Sequence, residues 1–369
     1  MTKELRIAII GGGIAGASIA NALESKGMDY KLYEQAPEFS EVGAGIGIRT
    51  PSIVALKKWG LYEELVAVTE ESPRMQVVMG DDTVLLEDEW PELKDMDGMS
   101  INTRLIHRAD LIDVLFAKLP KDKLYLNHRA VNAKEFDSFV EIEFDNGNKI
   151  EADIVIAADG IRSPIRNILI GNHEPVYSGY LAHRGIIEFD DAEGTALEDS
   201  TLRVYVDGDN SWYMLPLLKN RRQVSIDITI PGEFSWRPEL TKEELMEGVK
   251  GFGPALQRVL AKMDMKDIVS RPLSDLDPFE KWSTKRVTVI GDAAHAMLHN
   301  RGQGANMAIQ DADVLGDVIE EIIQGKLSIE EGLNKYQEDR KPITKFYQEM
   351  SRVFPTQQSN AVFPEKAQL

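Results

Sequence analysis

Apolar and polar positions alternate along this chain in a way that divides it into short strands and amphipathic helices. Residues 5–10 form a short apolar run that reads as a buried strand. Gly11-Gly12-Gly13-Ile14-Ala15-Gly16 follows, then a helical spacing through Ile19 and Leu23 to a stop at Gly27. Residues 29–33 predict a second strand ending at Glu34, so the chain opens as strand, glycine turn, helix, strand. A second glycine-rich passage, 43–48, precedes a helix from about Pro51 to Gly60. Residues from about 74 to 97 mix short strands with acidic turns, and 108–119 has helical spacing. Asp145-Asn146-Gly147 predicts a hairpin turn between strands 139–144 and 149–156. Strand-like runs then crowd together at 180–187, 202–206, 212–217 and 223–230.

Near the C-terminal end the apolar run Val287-Thr288-Val289-Ile290 leads into Gly291-Asp292-Ala293-Ala294-His295. Gly302-Gln303-Gly304-Ala305-Asn306 then opens a helix whose apolar stripe is Ala308, Ala312, Leu315, Ile319 and Ile322. Thr241 with Glu244, and Ser328 with Glu331, have the spacing of capping boxes. The pattern predicts an α/β fold: a Rossmann-like nucleotide domain from 1–73, 98–177 and 280–325. A β-rich substrate domain from 74–97 and 178–279 is inserted into it. A C-terminal helix at 326–354 and a tail at 355–369 complete the chain.

Composition narrows the function classes. A length of 369 residues fits two domains or one with a large insertion. The net charge of -19 argues against nucleic acid or an anionic membrane as a partner, because phosphate binding needs clustered cations. Without cysteine there is no disulfide framework or thiolate metal site, and six histidines show no ligand spacing, so no metal is expected. The apolar start resembles a signal peptide only superficially, since its glycines fall in a nucleotide-loop pattern. A soluble, cytoplasmic protein is expected.

The glycines at 11, 13 and 16 give G-x-G-x-x-G between a strand and a helix. Such a turn lets a pyrophosphate approach the backbone at a helix N-terminus, with Ile14 and Ala15 in the first turn. Glu34 stands where a carboxylate can accept hydrogen bonds from ribose hydroxyls, which suits FAD or NAD better than NADP. Asp292, ending a strand before an amide-rich helix start, suits a polyol beside an anionic ring edge, and the two sites together point to FAD. Asp159-Gly160-Ile161-Arg162-Ser163-Pro164-Ile165-Arg166 follows a buried strand, and its two arginines suggest a site edge where anionic groups pass.

These motifs, in this order, resemble those of the single-component flavoprotein aromatic hydroxylases, which include para-hydroxybenzoate hydroxylase, salicylate hydroxylase and 6-hydroxynicotinate 3-monooxygenase. D-G-x-x-S-x-x-R matches Asp159, Gly160, Ser163 and Arg166; G-D-A-A-H and G-Q-G-x-N match 291–295 and 302–306. Arg108 matches the family's arginine beside the flavin phosphates, and 180–185 looks like the first long strand of its substrate domain. The resemblance spans about residues 5–350 and implies bound FAD, transient NADH or NADPH, and O₂. It also implies hydroxylation of a small electron-rich aromatic or N-heteroaromatic substrate through a flavin C4a-hydroperoxide. The implied cofactor site is Gly11, Gly13, Ile14, Ala15, Gly16, Glu34, Gly47, Arg108, Asp159, Asp292, Gly302, Gly304, Ala305 and Asn306. Arg49, Arg184, Tyr213 and Met214 are candidates for the substrate pocket. His299 stands where the family has proline, either facing substrate as the one candidate catalytic side chain or filling a loop. Two other readings stay open: a same-fold hydroxylase or epoxidase acting on a polycyclic or non-aromatic compound such as a tetracycline-like drug, and a flavin-binding interaction protein without oxygenation.

Overall fold

The computed structural model describes residues 5–39, 45–89, 93–94, 100–188, 199–207, 210–216 and 223–353. A parallel five-stranded sheet holds the main core, in the order Leu124–Tyr125, Lys31–Tyr33, Ile7–Ile10, Ile154–Ala157, Val287–Val289. Ile7–Ile10 and Ile154–Ala157 are buried along their whole length, as expected of strands covered on both faces. The helix Ile14–Ser25 covers one face; every residue from Ile14 to Leu23 is buried, and Gly27, at φ +67°, ends the turn that follows it. It packs against the helix Gly304–Ile323 so closely that a Cβ on Gly316 would lie 2.9 Å from the Ala22 Cβ.

A seven-stranded sheet forms the second layer, in the order Val269–Asp275, Val176–Glu188, Gln223–Pro231, Asn210–Pro216, Leu202–Asp207, Arg74–Met79, Val84–Glu89. The pair Leu202–Asp207 and Arg74–Met79 is parallel and the other pairs are antiparallel. One face, bearing Ile187, Val224, Ile226 and Ile228, packs on the helices Lys242–Gly248 and Pro254–Ala261. The opposite face brings Leu202, Val204 and Leu215 against Leu105 of the strand Arg104–His107, which pairs with Gly45–Ile48. Thr241 and Ser328 form the expected capping boxes, with Glu244 and Glu331, at the starts of Lys242–Gly248 and Ile329–Ser351.

Two strands depart from expectation. The stretch 149–156 is not one hairpin arm but two strands, Lys149–Ala152 and Ile154–Ala157, in different sheets. Between them the buried Asp153 carboxylate accepts the Arg6 backbone N–H at 2.9 Å, anchoring the switch from hairpin to parallel pairing. The long substrate-side strand starts at Val176, and Gly179, at φ +86°, lies in the irregularity where its register shifts between Tyr177 and Leu181. The expected 355–369 tail lies outside the described residues.

Candidate active site

The carboxyl ends of the parallel strands open into a cavity of about 2080 Å³, closed on its other side by the seven-stranded sheet. Ligands of open α/β sheets bind at such strand ends. Among the residues expected to hold the cofactor, Gly11, Gly13, Ile14, Ala15, Glu34, Gly47, Arg108, Asp159, Asp292, Gly302, Gly304 and Ala305 line it. Gly16 and Asn306 do not. A Cβ on Gly16 would lie 1.8 Å from the Gly11 carbonyl oxygen, so Gly16 permits the turn from beneath. Asn306 is fully buried; its Oδ1 accepts the Arg49 N–H at 2.8 Å, and its Nδ2 donates to the Gly47 and Gly302 carbonyls. It ties the second glycine passage to the helix start and presents no polar group to the cavity.

On the sheet side Arg49, Arg184 and His299 also line the cavity. Tyr213 and Met214 are in register with Asp227 and Ile226, but their side chains lie outside the described residues. Asp227 was not legible in the sequence. It pairs with Arg184 across two antiparallel strands, with Arg184 Nε 2.5 Å from Asp227 Oδ2. His299 Nε2 lies 2.9 Å from Thr229 Oγ1 and 3.6 Å from Asp227 Oδ1. Burial would raise the Asp227 carboxyl, but the Arg184 guanidinium holds it below the usual range. Burial depresses His299, with Asp227 opposing and Arg184 adding, so its imidazole is neutral near pH 7. Arg108, also depressed by burial, lies in the fields of Asp292 and Arg184 and joins the two sides.

The FAD binding domain family matches residues 4–350, nearly the whole chain. This chain belongs to that family. It is similar to the 6-hydroxynicotinate 3-monooxygenase of Bordetella bronchiseptica (strain ATCC BAA-588 / NCTC 13252 / RB50), with 30% identity covering 87% of this chain and 84% of the relative. It is 32% identical to a 3-amino-4-hydroxybenzoate 2-monooxygenase of Streptomyces platensis, covering 92% of this chain and 85% of the relative. Among solved structures, Klebsiella pneumoniae HpxO complexed with FAD and uric acid superposes with a TM-score of 0.80 at 21% identity. That match covers 95% of this chain and 88% of the other and shows the shared fold. The protein is thus an FAD-dependent monooxygenase of the aromatic-hydroxylase type.

The residues of this FAD-family chain fit the flavin. A Cβ on Gly11, at φ +107°, would lie 2.3 Å from the Ala158 carbonyl oxygen, so only glycine allows the first turn. The helices Ile14–Ser25 and Gly304–Ile323 both begin at this cavity without a side-chain cap, leaving amide N–H groups for anionic ligand oxygens. Glu34 accepts the Gly12 N–H at 2.6 Å and the Ala36 N–H at 2.8 Å, which fixes its carboxylate at the second strand's end. Each carboxylate oxygen retains a lone pair for a ribose hydroxyl. Asp159 Oδ1 is buried without a partner, and burial pushes its carboxyl up to about 6. Such a buried acceptor suits a hydrogen-bond donor from a ligand in the cavity.

Arg166 corrects the expectation that both arginines of the Asp159–Arg166 segment face anionic groups. It is fully buried and donates to the carbonyls of Ala293, Ile161 and His173 at 3.0, 2.8 and 2.7 Å. It staples the Asp159 loop to the Asp292 loop. Arg162 is exposed and lies 4.3 Å over the Trp236 ring at the cavity edge. Behind Asp292, Asp311 accepts from Gly291 N–H and Arg340 Nε and meets His295 Nε2 at 2.5 Å. Burial would raise Asp311, but His295 and Arg340 hold it low. No group of three or more potential metal ligands occurs among the described residues, and no helix there is long and apolar enough to cross a membrane.

Proposed function

We propose that this chain is an NAD(P)H-consuming monooxygenase that hydroxylates a small electron-rich aromatic or N-heteroaromatic substrate with O₂. One observation carries the reading: the dinucleotide cradle and the polar face of the seven-stranded sheet share a single cavity. The names of the relatives, which act on hydroxynicotinate and aminohydroxybenzoate, support the substrate class. Bound flavin would supply the redox chemistry by which two electrons from NAD(P)H let one atom of O₂ enter the substrate while the other leaves as water.

The chain's own part is placement and exclusion of water. Gly11, Gly13 and the two uncapped helix starts hold the dinucleotide, and Asp292 meets the polyol chain. Segments 74–97 and 178–279 supply the substrate side, where Arg184, Asp227 and His299 orient the ring and Leu202, Val204 and Leu215 keep water from it. Neutral His299 accepts or donates a hydrogen bond at the substrate without adding charge.

The test is a library of hydroxylated aromatic and pyridine acids assayed for NAD(P)H oxidation and product together. Slow oxidation alone and fast, product-forming oxidation with one or more compounds is the expected result. Oxidation that no compound accelerates, with no hydroxylated product, would overturn the reading.

A further inference from the structure

We infer that Asp227 masks Arg184, so that the sheet side of the cavity selects a substrate group that donates a hydrogen bond without carrying negative charge. A ring hydroxyl or ring N–H fits there in preference to a carboxylate. The inference rests on the proposed aromatic substrate and adds which of its groups faces this wall.

Arg184 alone would invite a carboxylate, because its planar guanidinium matches one in a two-point contact. Here one edge of that guanidinium is already engaged and its charge is balanced, since Nε lies 2.5 Å from Asp227 Oδ2 and the two residues are register partners. The pairing is built into the sheet and does not depend on a flexible side chain finding its mate. Both side chains reach the cavity wall, with Arg184 27% and Asp227 9% exposed. Thr229 Oγ1 stands between Asp227 Oδ1, at 3.4 Å, and His299 Nε2, at 2.9 Å.

The charges of the Arg184–Asp227 pair therefore cancel. Asp227 is ionised, because Arg184 overcomes the burial that would raise it and Thr229 donates to it, and His299 is neutral. An arriving carboxylate would give up its water, meet a guanidinium already neutralised, and face the Asp227 charge at close range. A ring O–H or N–H would find carboxylate oxygens ready to accept, which is a charge-assisted bond.

The experiment uses the FAD-loaded protein and two matched probe pairs, phenol against benzoate and pyridone against picolinate. Dissociation constants are read from the change each ligand causes in flavin absorbance, and unchanged flavin content checks folding of the variants. The wild type should favour phenol and pyridone over their acids by about tenfold or more. Asp227→Asn should unmask Arg184 and shift each ratio towards the acid by about tenfold or more. Arg184→Gln should shift it the opposite way, so two variants with opposite expectations guard against simple misfolding. A wild type that prefers the acids, ratios unmoved by both variants, or ratios moved the same way by both would overturn the inference. Failure of all four probes to bind the wild type would overturn it too. The proposed function fails separately, if no library compound yields a hydroxylated product whatever these ratios are.

Discussion

Asp159 brings an unpartnered Oδ1 to the cradle, its carboxyl pushed up to about 6 chiefly by burial. An unfolded aspartate titrates near 3.9, so the folded apo-protein holds this proton more tightly. Its contribution to apo stability is full below about 4 and is lost as pH rises towards about 6. A dinucleotide donor on Oδ1 favours the ionised form, so FAD affinity should run the other way and weaken as pH falls through about 6. Fluorescence titrations of FAD across that range should show the step, and Asp159→Asn should abolish it; a wild-type affinity flat across the range would remove Asp159 from the site. Asp292→Ala should loosen FAD by about 10- to 100-fold, the worth of one charge-assisted hydrogen bond of about 1.5–3 kcal/mol. Unchanged retention would mean that Asp292 only starts its helix. The turn role of Gly11 was legible from a local motif because the turn itself dictates it. Asp227 and Asp311 were not, since their partners Arg184 and Arg340 lie 43 and 29 residues away along the chain.

Helix starts carry the chemistry at the next scale. Gly16 sits under the first turn of Ile14–Ser25, where any side chain meets the Gly11 carbonyl at 1.8 Å. That contact is with backbone, so the helix must move. Gly16→Ala should therefore give protein with strongly reduced flavin content after purification, and stoichiometric FAD in that variant would contradict the close-turn geometry. The capping box of Ile329–Ser351 gives a contrasting case remote from the cofactor. Ser328→Ala should cost about 1 kcal/mol of stability by thermal melting while FAD binding stays unchanged. Most elements were legible from periodicity and caps, including both capping boxes and the strand, glycine turn, helix opening. The misread arm 149–156 shows what periodicity lacks: nothing in an apolar run says which sheet it joins, and the buried Asp153–Arg6 contact marks the switch.

Across the whole molecule the cavity reverses the protein's electrostatic sign. The chain has 42 lysines and arginines against 61 acidic residues. Among the described residues, the cavity wall holds eight arginines and no lysine against five carboxylates. Such a lining draws anionic ligands through an otherwise repelling field, and salt screens it within a Debye length of about 10 Å at 0.1 M. Capture of NAD(P)H by the FAD-loaded protein should slow as ionic strength rises, measured by stopped-flow flavin reduction; a rate indifferent to salt would show that the arginines serve only the bound cofactor. Composition alone could not reveal this reversal, because the arginines are scattered from Arg49 to Arg340 and only the fold gathers them. On the proposed function, flavin and substrate meet in this one cavity for oxygen transfer. The most direct measurement supplies isotopically heavy O₂ with NAD(P)H and an accelerating substrate, then weighs the product by mass spectrometry. One heavy oxygen atom is expected in each hydroxylated product molecule. Product oxygen drawn from water, or consumption of NAD(P)H that ends wholly in H₂O₂, would contradict it.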